Sequence, residues 1–232
     1  MKNLLLQKFH QVLEHIAVNG SATLNELAEK LDIPLPTLSR LVSDMVEMQL
    51  LEKLDYYRIA PAPGLIRLGE CSKKHSFLLR NAVPKLREFS EKKRMNSIFA
   101  GFDGQNIFEL FSTCLPENHP VSVWESGLAP VIMTAAGISD GECLRQFRQN
   151  TPRCSEADVL IFERELEHIR NARQLFRTTA MRYWSCAIPF NYREMCCGIC
   201  FYGSAPENCS REKFDLECSL LVSRIAAAVS EE

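Results

Sequence analysis

The chain has 232 residues, 46% of them hydrophobic and 24% charged, with a formal net charge of -2. This composition excludes a disordered, fibrous or collagen-like chain, and no apolar run approaches the roughly 18 residues of a membrane-spanning helix. The N-terminal MKNLLLQK lacks the apolar core and small-residue cleavage site of a secretory signal, so a cytoplasmic location is expected and the ten cysteines read as small core residues.

Near-neutrality argues against a nucleic-acid partner until the charge is divided along the chain. Residues 1–63 carry net -2, residues 64–95 net +6 and residues 96–232 net -6. A basic stretch thus lies between two acidic ones, and the proline- and glycine-rich 61–64 marks its start. These breaks predict a first domain over 1–61, a helical linker over 62–95 and a larger domain over 96–232.

In the first segment Leu6, Phe9, Leu13 and Ile16 recur at helical spacing, and Asn19 and Gly20 end that helix. Thr23 and Glu26 form a T-x-x-E capping box ahead of a second apolar face made by Leu24, Leu27, Ala28 and Leu31. After a short turn at 32–34, Pro36 falls where a first helical turn tolerates it. The third helix runs to about Met48, with Leu38, Leu41, Val42 and Met45 inward and Thr37, Ser39, Arg40, Ser43 and Asp44 outward. Two β-prone runs, 50–54 and 56–60, meet at Asp55. This order is that of a winged helix-turn-helix, whose third helix reads the major groove while the wing touches the DNA backbone. The alternative is a protein-docking module of the same shape.

Four stretches in this half, LNELAEKLDIP at 24–34, PTLSRLV at 36–42, YRI at 57–59 and LIRLG at 65–69, resemble the IclR (isocitrate lyase regulator) family of bacterial transcription regulators in order and spacing. The family usually starts its recognition helix with Lys-Ser-Thr; here Leu35, Pro36 and Thr37 stand there. The resemblance implies contacts to a double-stranded DNA operator from Pro36, Thr37, Ser39, Arg40, Ser43, Tyr57 and Arg58. It continues through PVIMTAAG at 130–137, WSCAIPF at 184–190 and CGICFYGSA at 197–205. An α+β chain is implied: an N-terminal winged helix-turn-helix, a helical linker and a C-terminal GAF-like effector-binding domain, assembled as a homodimer or dimer of dimers. A small organic acid is the implied effector, with Thr134, Ala135, Ala136, Gly137, Arg182 and Ser185 as its candidate contacts. Ser185 stands where the family has a ligand cysteine.

The residues of the C-terminal part give their own reading. Residues 77–94 form a basic helix that Pro84 divides or kinks near Ala82, and Asp103-Gly104 joins β-prone runs at 96–102 and 106–112. A third strand is expected at 121–124. Residues 134–137 are expected to open a helix reaching Gln149, whose first amides would meet an anion; a capped helix start without ligand is the alternative. A helix over 156–176 would turn Phe162, Leu166, Ile169 and Phe176 inward and Glu163, Arg164, Glu165, Glu167 and Arg170 outward. Arg173, Arg177 and Arg182 either line a carboxylate-binding pocket or pair with the acids at 163–167. Strands at 182–190 and 195–202 follow, then a helix with Phe214, Cys218, Leu221, Val222, Ile225 and Val229 on one stripe. Alternation along the second strand turns Cys196 and Cys200 one way and Cys197 the other, which argues against a zinc site. No catalytic motif is present, and neither cofactor nor metal is expected. The leading function is an IclR-type regulator modulated by a small anionic metabolite. A ligand-independent regulator or docking module with a decayed effector site is the alternative.

Overall fold

The computed structural model describes residues 4–116, 118–178, 183–207 and 209–230. It divides into two compact units, Met1–His75 and Ser76–Glu232. The division falls inside the stretch expected to be a linker. Its first half, α4 (Pro63–His75), belongs to the first unit, whereas its second half, α5 (Phe77–Lys93), is a core element of the other.

In the first unit α1 (Leu4–Asn19), α2 (Leu24–Leu31) and α3 (Leu35–Glu47) close on a small core with the wing strands β2 (Leu51–Lys53) and β3 (Arg58–Pro61). A two-residue β1 (Ala22–Thr23) adds a third strand beside β3, giving the order β1-β3-β2. The α1 stripe is shifted from the expected one: Val12 and Ile16 are buried, Phe9 and Leu13 are partly buried, and Leu6 is exposed. The capping box at Thr23 and Glu26 is formed. Its two hydrogen bonds satisfy amides that a helix start leaves free. A side chain at Gly64 would run into the Gln49 carbonyl oxygen, so glycine there lets α4 start directly against the turn after α3. Along α4 no residue is buried, and Ile66 and Leu68 are well exposed.

The second unit is a five-stranded antiparallel sheet in the order β5-β4-β8-β7-β6. Its strands are β4 (Asn96–Phe102), β5 (Ile107–Ser112), β6 (Leu175–Thr178), β7 (Tyr183–Tyr192) and β8 (Met195–Ser204). The hairpin at Asp103-Gly104 forms, Asp103 accepting from the amides of Gln105 and Asn106. One face packs against α5 and α9 (Arg211–Ser230) through Phe99, Phe190, Phe201, Phe214 and Val222. The other packs against α6 (Leu128–Ala135), with Ile98, Ala187 and Cys200 meeting Leu128 and Ile132. Gly198 lets α6 lie close: a Cβ there would fall 2.7 Å from Ile132. Outside α6, α7 (Asp140–Asn150) and α8 (Glu156–Ala172) form a further cluster with Trp124, Met133, Cys143 and Phe162.

Two expected elements differ. Residues 121–124 form no strand: a turn occupies 123–127, where Ser122 and Glu125 bond each other's amides and the Val123 carbonyl takes the Ala129 amide. The helix expected to reach 176 ends at Arg173, which adopts a left-handed backbone, and Phe176 lies in strand β6 instead. Of the two alternatives for 77–94, a single helix forms, α5 running through Pro84.

Candidate nucleic-acid interface and effector region

Helix α3 buries Leu38, Leu41, Val42 and Met45, one apolar stripe. Its opposite face leaves Pro36, Thr37, Ser39, Arg40 and Ser43 exposed. Pro36 falls in the first turn, where its missing N–H leaves no broken bond. Ser39 and Ser43, and likewise Pro36 and Arg40, are four residues apart and share a face. Arg40 takes part in none of the ion pairs among the described residues.

The wing is held by its own tip. The Asp55 carboxylate accepts from the amides of Tyr57 and Arg58, each at 2.7 Å, and those two bonds hold its pKa below the usual carboxylate value. The turn so fixed displays Tyr56 and Tyr57, 90% and 72% exposed, edge to face with centroids 5.0 Å apart. A groove of about 570 Å³ lies between wing and helix, lined by Thr23, Leu35, Pro36, Ser39, Tyr56 and Tyr57. Arg58 is exposed on β3. It adds to the lowering of the Glu26 pKa that the Thr23 amide and hydroxyl begin. Of the expected contacts, the structure therefore gathers Pro36, Ser39 and Tyr57 at one groove and leaves Thr37, Arg40, Ser43 and Arg58 exposed in the same unit. Leu35 and Tyr56 were not expected there. Their signal was an apolar residue off the buried α3 stripe and a doubled tyrosine at a hairpin tip.

The candidate effector residues depart from expectation. Thr134 and Ala135 end helix α6 instead of opening one, Ala136 caps its C-terminus, and Gly137 follows with φ 83°. The Ala136 amide bonds Ile132 O at 2.9 Å and the Gly137 amide bonds Thr134 O at 3.1 Å, while the Thr134 hydroxyl donates to Pro130 O. These groups stand at the negative end of a helix with their donors engaged, which is no cradle for an anion. The run of small residues closes α6 at its C-terminus and does not open the next helix, α7, which starts at Asp140.

Ser185 is buried on β7, paired in register with Arg177 of β6 on one side and Tyr202 of β8 on the other. Arg177 is closed on a carboxylate of the chain itself. Its Nε and Nη2 donate to the two oxygens of Glu165 at 2.6 and 2.5 Å, and Nη1 donates to the Glu125 carbonyl at 2.7 Å. Both side chains are largely covered, at 28% and 16% exposure. Glu165 is thus no ordinary solvated acid of α8. Arg173 is exposed, and Arg182 lies outside the described residues. Gly127 presses on this pair from the start of α6, where a Cβ would fall 3.1 Å from the Arg177 guanidinium carbon.

With both sites in view, likeness to known proteins can be placed. Residues 5–55 match the IclR helix-turn-helix domain. Residues 5–55 therefore carry a helix-turn-helix domain of the IclR type. Its fold is shared along nearly its full length with solved structures. An IclR family transcriptional regulator from Brucella abortus superposes with a TM-score of 0.65 at 17% identity, covering 99% of this chain and 93% of that one. An IclR transcriptional regulator from Alicyclobacillus acidocaldarius gives 0.58 at 14%, covering 99% of each. An IclR homolog from Microbacterium hydrocarbonoxydans, complexed with 4-hydroxybenzoate, gives 0.56 at 15%, covering 98% and 100%. At these identities the likeness is one of fold. No curated protein matches the chain.

Cys143, Cys186, Cys196, Cys197, Cys200 and Cys218 are buried in the second unit. On β8, Cys196 and Cys200 join the α6 side of the sheet and Cys197 the α9 side, as alternation requires. Burial pushes the thiol pKa of Cys196 up to about 11 and that of Cys197 up to about 12, and raises that of Cys200 further. Cys186 donates to Asp215, and its thiol is pushed up by its bond with Cys218 and by burial. Thiols so placed pack as small apolar groups and are poor nucleophiles. Among the described residues no helix is long and apolar enough to cross a membrane.

Proposed function

We propose that this regulator binds a two-fold operator in double-stranded DNA as a homodimer or dimer of dimers, in the cytoplasm, and that a small organic acid tunes the binding by competing with Glu165 for Arg177. The observation that carries the DNA half is the face of α3. It turns Pro36, Thr37, Ser39, Arg40 and Ser43 outward beside a wing already fixed by Asp55. In the major groove Arg40 offers the fork that fits guanine O6 and N7, and Arg58 in the wing supplies a phosphate contact. Pairing is supported by α4, since a helix of this length with nothing buried needs a partner surface to be stable. The test is selection from random duplexes with the full chain, followed by a gel-shift series at rising salt. Binding that weakens steeply with salt is expected. Failure to enrich any duplex, with a protein partner recovered instead, would replace this reading with the docking one.

The acid half is supported by the guanidinium fork of Arg177, which already accommodates a carboxylate beside Ser185, and by the fold shared with the 4-hydroxybenzoate complex. A ligand that binds the native state raises its thermal midpoint by mass action. With 4-hydroxybenzoate as probe, a larger rise is expected for Glu165→Gln than for the wild type. No rise in either protein would leave an effector-independent regulator.

A further inference from the structure

The start of α3 is apolar where it meets the groove. Leu35 is 45% exposed, Pro36 has no N–H to offer, and Tyr56 and Tyr57 wall the opposite side. The residues at this end carry no cation, and residues 1–63 as a whole carry net -2. A surface of this kind gains little from phosphate. It lies at the N-terminal end of the recognition helix, the part that faces base edges in this class of domain, and it is continuous through Ser39 with the face that presents Arg40. Among the groups that the major groove displays, one is apolar: the 5-methyl of thymine.

We infer that Leu35, backed by Pro36 and the two wing tyrosines, reads a thymine methyl in each half-site, next to the base pair that Arg40 contacts. The inference rests on the DNA-binding reading above and deepens it by naming what the apolar end recognises. It also accounts for an acidic reader with a leucine as the first residue of its recognition helix: discrimination comes from excluding water around a methyl group, while Arg40 supplies the charged contact. The methyl of Thr37 is a competing reader on the same helix, so the test must separate the two.

The experiment uses the full chain and the duplex enriched by selection. Each thymine is replaced in turn by deoxyuridine, which removes the methyl and leaves every hydrogen-bonding group in place. One position per half-site is expected to weaken binding roughly fourfold, the value of one buried methyl-sized group. Substitution in both half-sites is expected to weaken it roughly fifteenfold. With Leu35→Ala, a helix-favouring change at a half-exposed first position, the folded protein is expected to bind the thymine and deoxyuridine duplexes equally, with an unchanged salt slope. Uniform tolerance of deoxyuridine by the wild type would overturn the inference while leaving DNA binding intact. So would an undiminished methyl effect in Leu35→Ala, which would point to Thr37. Failure to enrich any duplex would remove the DNA-binding reading and this inference with it.

Discussion

The reader face and the effector region hold similar ingredients, arginines and hydroxyls near a helix end, in opposite states. On the reader, Arg40 is exposed and outside the ion pairs among the described residues, and Ser39 and Ser43 are exposed beside it. In the second unit, Arg177 is closed on Glu165 and the Glu125 carbonyl, and the amides of Ala136 and Gly137 are engaged by α6. A surface with unengaged donors can take a ligand with no internal rearrangement. A region whose donors are satisfied internally takes one only by exchange, so the ligand's net gain is the difference between two similar bonds.

The widest test of this contrast is to remove the open groups. Arg40→Ala with Arg58→Ala is expected to weaken duplex binding by about 2–4 kcal/mol, roughly 30- to 1000-fold, with no loss of fold. A gel-shift series on the selected duplex measures it, and unchanged binding would refute the reader assignment. Next in size is the closed pair. Glu165→Ala leaves a largely covered guanidinium without its carboxylate and is expected to cost about 1–3 kcal/mol of stability, read in urea unfolding. Added 4-hydroxybenzoate should restore part of the loss, and no destabilisation would mean the pair is only ornamental to the fold.

A smaller effect is local and depends on pH. The Asp55 pKa is lowered in the folded wing, so the contribution of its turn is complete above the ordinary carboxylate value near 3.8 and is lost as pH falls through the folded value. Asp55→Asn is expected to weaken that acid dependence at the wing resonances while leaving the amides of α3 unmoved, as seen by two-dimensional NMR. The smallest expectation concerns the thiols. At pH 8 a thiol reagent should label exposed Cys71 and Cys114 quickly, while Cys143, Cys186, Cys196, Cys197, Cys200 and Cys218 react only on unfolding.

The reader was legible because its signals are local. The capping box, the Leu38, Leu41, Val42 and Met45 stripe, and the tolerance for Pro36 each depend on residues within two turns of one another. The effector region was less legible because its decisive facts are long-range. Glu165 and Arg177 lie on different elements, so the sequence offers pairing of the arginines at 173, 177 and 182 with the acids at 163–167 only as one of two alternatives and does not single out this pair. Small residues at 134–137 suit the end of a helix as well as its start, and only the course of α6 over Leu128–Ala135 decides between them. The division at His75 and Ser76, inside the expected linker, has a related reason. Helix α5 is charged enough to look like a connector, yet Leu78, Leu79, Ala82 and Leu86 make it one wall of the sheet's core.

Gly64 has a consequence for operator architecture. Because its bare backbone lets α4 start against the Gln49 carbonyl, the heading of that helix is anchored to the turn that closes the recognition helix. If two copies pair along α4, the separation and phase of their recognition helices follow from that heading, in the way half-site spacing mirrors dimer geometry. The residues of α3 would then choose the letters, and a missing methyl group at position 64 would choose how far apart the two words are written.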